Sequence, residues 1–82
     1  MVVRRRYTYP MKVSIEDFQT GWFGIQVGLT DSDITLLIER LQSLQQQRGH
    51  FHFRRNDFSS TSGVADVELF WTDQAPQNMV IE

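Results

Sequence analysis

Two histidines stand two residues apart in His50-Phe51-His52, and a strand through this segment would direct both imidazoles to one side. Neutral imidazole nitrogens ligate divalent cations, and Asp66 and Glu68 return opposite them if the chain turns back as a hairpin. Two nitrogens with one or two carboxylate oxygens form a candidate metal set, His50, His52 and Glu68. The competing reading is an exposed ladder in which His52 faces Glu68 and Arg54 faces Asp66. A flat sheet face supplies no outer groups to orient metal ligands, so the ladder is preferred and no metal or other cofactor is expected. Zinc should then leave thermal stability nearly unchanged.

Other chemistry finds less to work with. An acid, base or nucleophile acts only when it is held near its substrate in a site that excludes water. Ser59-Ser60-Thr61-Ser62 reads as a loop with no motif around it, and Glu16 and Asp17 are adjacent, so a strand points them to opposite faces. Gly21, Gly24 and Gly28 follow a strand and its turn and do not open a helix in a nucleotide fingerprint. With no cysteine there is no thiol nucleophile and no thiolate site. No catalytic residue is expected. Arg48-Gly49-His50-Phe51-His52-Phe53 resembles the aromatic strand of RNA-recognition modules, where exposed rings stack on bases. Here Phe51 and Phe53 share the parity that must pack on the helix, and the net charge is -2. The Arg4, Arg5 and Arg6 run can touch a phosphate backbone, which keeps nucleic-acid association as a runner-up, although three charges in a row more often form a solvated end.

The elements that position these groups are legible from periodicity. Ile34, Leu37, Ile38, Leu41 and Leu44 recur at steps of three and four, which predicts an amphipathic helix over Thr30 to Arg48. Thr30, Asp31, Ser32 and Asp33 supply oxygens for the unpaired first-turn amides, and Arg48-Gly49 supplies the stop. Leu36 falls off this stripe and is expected to face away from the core. Upstream, Met11, Val13 and Ile15 alternate with polar residues, Gln19-Thr20-Gly21 reads as a turn, and Phe23, Ile25, Val27 and Leu29 alternate with Trp22, Gly24, Gln26 and Gly28. Downstream, Phe51 and Phe53 belong with Val67 and Leu69. The predicted register sets Phe53 opposite Val67 and Phe51 opposite Leu69, with a loop from Phe58 to Ser62. The resulting fold is α+β, two layers in the order ββαββ, a mainly antiparallel four-stranded sheet packed on one helix.

About 33 apolar side chains, 40% of 82 residues, suffice for one small core, so residues 1–82 read as a single domain. Residues 1–10 read as an arm or an edge strand, with Pro10 suited to an edge, and residues 74–82 as a tail or a short strand after the Ala75-Pro76 turn. Ten acidic and eight basic residues lie far from the composition of a disordered tail. No apolar run reaches the roughly 18 residues that cross a bilayer, and no apolar segment follows the initial arginines, so no membrane association and a cytoplasmic location are expected.

If one helix covers one sheet face, the other face is left with Trp22, Phe70 and Val64 beside the small Gly24 and Gly28. Trp22 is the natural anchor, with Gln26, His50, His52, Glu68 and Phe70 completing a partner-binding surface. A protein partner or a homodimer is expected to cover it. Gly21-Trp22-Phe23, the Leu/Ile-rich helix and Gly49-His50-Phe51-His52-Phe53 together resemble small immunity proteins of bacterial toxin systems, which have a strand, helix, strand layout and a Gly-His-x-His segment after the helix. The resemblance spans roughly residues 20 to 72. It implies a protein that neutralises a toxin by binding it, with no catalytic residues of its own.

Overall fold

A computed structural model describes residues 11–74 and 79–82. The elements follow the expected order: β1 (Lys12–Asp17), β2 (Phe23–Gly28), α1 (Asp31–Gln47), β3 (His50–Arg54) and β4 (Asp66–Phe70). The readings of the Arg4 to Arg6 run, of the arm through Pro10 and of the Ala75-Pro76 turn lie outside the described residues.

The first hairpin forms because β-branched residues alternate on both of its strands. Val13 pairs with Val27 and Ile15 with Ile25, antiparallel, so the apolar residues of the two strands share one face. The turn between them closes through the Phe18 amide, which donates to the Trp22 carbonyl at 3.1 Å, and through the Gln19 amide, which donates to Asp17 Oδ1 at 2.8 Å. Gln19 and Gly21 take positive φ values of 62° and 94°, and glycine meets that demand without steric cost at the second position. The Phe18 ring lies over Gly24, so close that a Cβ there would stand 2.9 Å from its Cζ. Gly24 is therefore already covered by the chain itself and does not offer the bare backbone expected of it.

The helix begins where the cap residues predict. Thr30 is the N-cap, and Asp33 Oδ2 accepts from both the Thr30 amide and its hydroxyl at 2.9 Å, while the Asp33 amide donates to Thr30 Oγ1 at 3.2 Å. This reciprocal box satisfies first-turn amides that would otherwise be unpaired. It also folds Asp33 inward, so that Asp33, 5% exposed, is the most buried of the described residues. Further along the helix, Leu37 and Leu44 of the expected apolar stripe are half-buried. Ile34, Ile38 and Leu41, also expected to face the core, remain exposed, and Leu36 is exposed as expected, although it borders a cleft.

The second hairpin has the predicted register, with Phe53 opposite Val67, Phe51 opposite Leu69, His52 opposite Glu68 and Arg54 opposite Asp66. Pairing continues one step at each end, through the Trp71 amide to the Gly49 carbonyl and the Arg55 amide to the Ala65 carbonyl, both at 2.9 Å. The loop is longer than the expected Phe58 to Ser62. Asp57 Oδ1 accepts from the Ser59 amide at 3.0 Å, Arg55 Nε donates to the Asp57 carbonyl, and Arg55 Nη2 donates to Ser60 Oγ at 3.3 Å. A side-chain turn of this kind competes with the ladder and ends it early.

The four strands form two separate two-stranded sheets, β1-β2 and β3-β4, and not one four-stranded sheet. Alternation specifies which face of a strand is apolar but not which edge it pairs, because the edge groups are backbone amides and carbonyls common to every residue. The α+β composition of the fold stands, while its predicted single sheet does not. Among the described residues no apolar side chain is fully buried. Residues 79–82 form no strand, and Met79, Val80 and Ile81 lie exposed without docking. No helix among the described residues is long and apolar enough to cross a membrane.

Candidate functional site

The polar face of the second hairpin gathers the residues that the sequence singled out for chemistry. Its odd-numbered side chains, Phe51, Phe53, Val67 and Leu69, are half-buried, whereas His50, Arg54, Asp66, Glu68 and Phe70 are exposed. His52 is the exception on its face, with a side chain only 19% exposed. Its Nδ1 lies 2.9 Å from Asp66 Oδ1 and 3.2 Å from Oδ2, while Arg54 Nε lies 3.4 Å from the same Oδ1. The expected ladder has therefore shifted along one diagonal. Asp66 holds both His52 and Arg54, and Glu68, directly opposite His52, has no ion-pair partner among the described residues.

His50, His52 and Glu68 nonetheless converge. One ligand atom from each lies within 4.8 Å of the others, and the two imidazole rings meet edge to face with centroids 5.1 Å apart. The sequence identified these three residues but assigned His52 to the wrong carboxylate. A diagonal neighbour across an antiparallel pair is within reach of a long side chain, and that reach was the available signal for Asp66.

The remaining predicted residues fall elsewhere. Trp22 stands just before β2 and is 75% exposed, and Gln26 on that strand donates to Glu16 Oε1 at 3.0 Å. Because the hairpins belong to different sheets, Trp22 and Gln26 do not share a sheet face with His50, His52, Glu68 and Phe70. The residues expected on one sheet face thus fall on two sheets. A third feature, which sequence periodicity did not reveal, is a cleft of about 490 Å³ lined by Met11 and Val13 of the first hairpin, Leu36 and Leu37 of the helix, and Phe51, Phe53 and Val67 of the second. Lys12, Arg40, Arg54 and Arg55 bring positive charge to it, and Asp33, Asp57 and Asp66 bring negative charge.

In the wall of the cleft, the Asp57 carboxyl is held below the usual carboxylate range, first by the Ser59 amide that donates to it, then by the Ser59 hydroxyl, and also by the nearby Arg55 guanidinium. At the other end of the hairpin the Arg48 guanidinium lies 4.1 Å above the centre of the Trp71 ring, a cation-π contact that ties the helix terminus to the strand end. No family model, no curated protein and no solved structure matches this chain.

Proposed function

We propose that this protein is a noncatalytic protein-interaction module, acting as an immunity protein that neutralises a bacterial toxin by occupying it. The observation that carries the reading is the state of the apolar residues. Phe23 and Ile25 on the first hairpin and Ile38 on the helix are each at least half exposed, as are Trp22 and Phe70. A chain of this size has little stability to spare even with a complete core, so apolar surface of this extent calls for a covering partner. Tryptophan and the aromatic Phe70 are the residue types that anchor interfaces, and polar neighbours such as Gln26 and Glu68 suit the rim around them. A second copy of the chain is the alternative occupant.

The first test is the gene neighbourhood, where an adjacent toxin gene supports the reading and supplies the partner to assay. Capture of that toxin by the full chain is then compared between wild type, Trp22→Ala and Phe70→Ala. Loss of capture in one variant identifies which of the two sheets docks. Undiminished capture in both, with each variant folded by circular dichroism, removes the surface proposed here.

A further inference from the structure

Independently of any protein partner, we propose that His50, His52 and Glu68 form a site for a divalent cation of the zinc type, with Asp66 orienting His52. The sequence argument against a metal was that a flat sheet face lacks outer groups to hold the ligands. The structure supplies such a group. With Nδ1 of His52 directed at the Asp66 carboxylate, the ring donates its proton there and keeps the Nε2 lone pair for a cation, the arrangement by which carboxylates fix the tautomer of metal-bound histidines. Asp66 is in turn braced by Arg54 Nε at 3.4 Å. A plain charge ladder would place Glu68 on His52, its cross-strand partner, yet Glu68 carries no ion pair among the described residues and stands beside both imidazoles.

Geometry and donor chemistry agree. Zinc bonds of about 2.0–2.1 Å in a tetrahedron put donor atoms about 3.3 Å apart. Closing from within 4.8 Å of one another to that spacing takes side-chain rotation on a hairpin whose register already sets His52 opposite Glu68. Two imidazoles and a carboxylate suit zinc better than calcium or magnesium, which favour all-oxygen sites, and they leave a fourth position to water.

The test is a titration of the purified full chain with zinc chloride alone, read by calorimetry and by melting temperature. Saturable binding is expected, with a rise of about 10 °C or more at a hundredfold excess over Kd. His52→Ala and Glu68→Gln should each weaken binding by more than about tenfold, and Asp66→Asn, which keeps the shape of the side chain but loses its charge, by about 10–100-fold. Arg54→Ala, which removes only the outer brace of Asp66, should change affinity by no more than about threefold, and circular dichroism without zinc confirms that each variant is folded. Absence of zinc binding, or binding that is unchanged in both His52→Ala and Glu68→Gln, overturns the site. Unchanged affinity in Asp66→Asn overturns the positioning role given to that residue.

Discussion

Asp57 shows how one side chain can shape a loop and report on pH. Its carboxylate accepts from the Ser59 amide, and this bond, with the Ser59 hydroxyl and Arg55, favours the charged form and holds the pKa below the usual range. A depressed folded-state pKa contributes stability that is present above the unfolded value and is lost as pH falls through the folded value. Asp57→Asn should therefore be less stable than wild type at neutral pH, and the difference should shrink to nothing in acid, once the wild-type carboxyl is protonated in both states. Urea midpoints of the two proteins at neutral and strongly acidic pH measure this, and a gap that persists in acid would show that shape and not charge is responsible. Asp57 was legible as a turn residue from its type, because aspartate commonly bonds the backbone two residues on. That it would shorten the ladder was not, since the outcome depends on Arg55 reaching the Asp57 carbonyl and Ser60 at the same time.

At the scale of elements, the end of α1 holds the clearest conflict between backbone and side chain. Arg48 has φ 65° and ψ -170°, a region occupied almost only by glycine, and it is followed by Gly49 at φ 99°. Non-glycine residues held in such regions cost on the order of 1–3 kcal/mol, while a cation-π contact at an exposed site contributes about 0.5–1 kcal/mol. The strain outweighs the Trp71 contact, so Arg48→Gly is expected to stabilise the protein by about 1 kcal/mol. Arg48→Ala keeps the strained backbone and loses the contact, and should be destabilising by a similar amount. Chemical denaturation of the three proteins orders them as glycine, arginine, alanine, and any other order contradicts this account. The sequence pair Arg48-Gly49 correctly marked the helix stop, because charge and glycine are local signals. It pointed to glycine for the special backbone conformation, whereas Arg48 takes one as well, where its guanidinium lies over Trp71 and the Trp71 amide donates to the Gly49 carbonyl.

For the whole molecule, the exposed stripe Ile34, Ile38 and Leu41 on the helix and the apolar face of the first hairpin are two uncovered half-cores. If a second copy covers them, unfolding must depend on protein concentration, because association adds its free energy to that of folding. A melting temperature that climbs between low and high micromolar protein, and a charged Ile38→Lys variant that abolishes the climb, are the expected outcomes. A melting temperature independent of concentration would assign the cover to a different protein. The sequence alone determined the element order, the helix cap, the cross-strand register of the second hairpin and the convergence of His50, His52 and Glu68. Each of these follows from side-chain period, from local hydrogen bonding or from burying one face, and all three act over a few residues or one hairpin. Only the tertiary structure decided that the hairpins would stay in separate sheets, that the helix would leave Ile34, Ile38 and Leu41 of its stripe exposed, and that Asp66 would take His52 from Glu68. Those outcomes depend on edges made of identical backbone groups, on how closely the helix packs on its neighbours, and on diagonal reach across strands. None of these leaves a periodic trace in the order of residues.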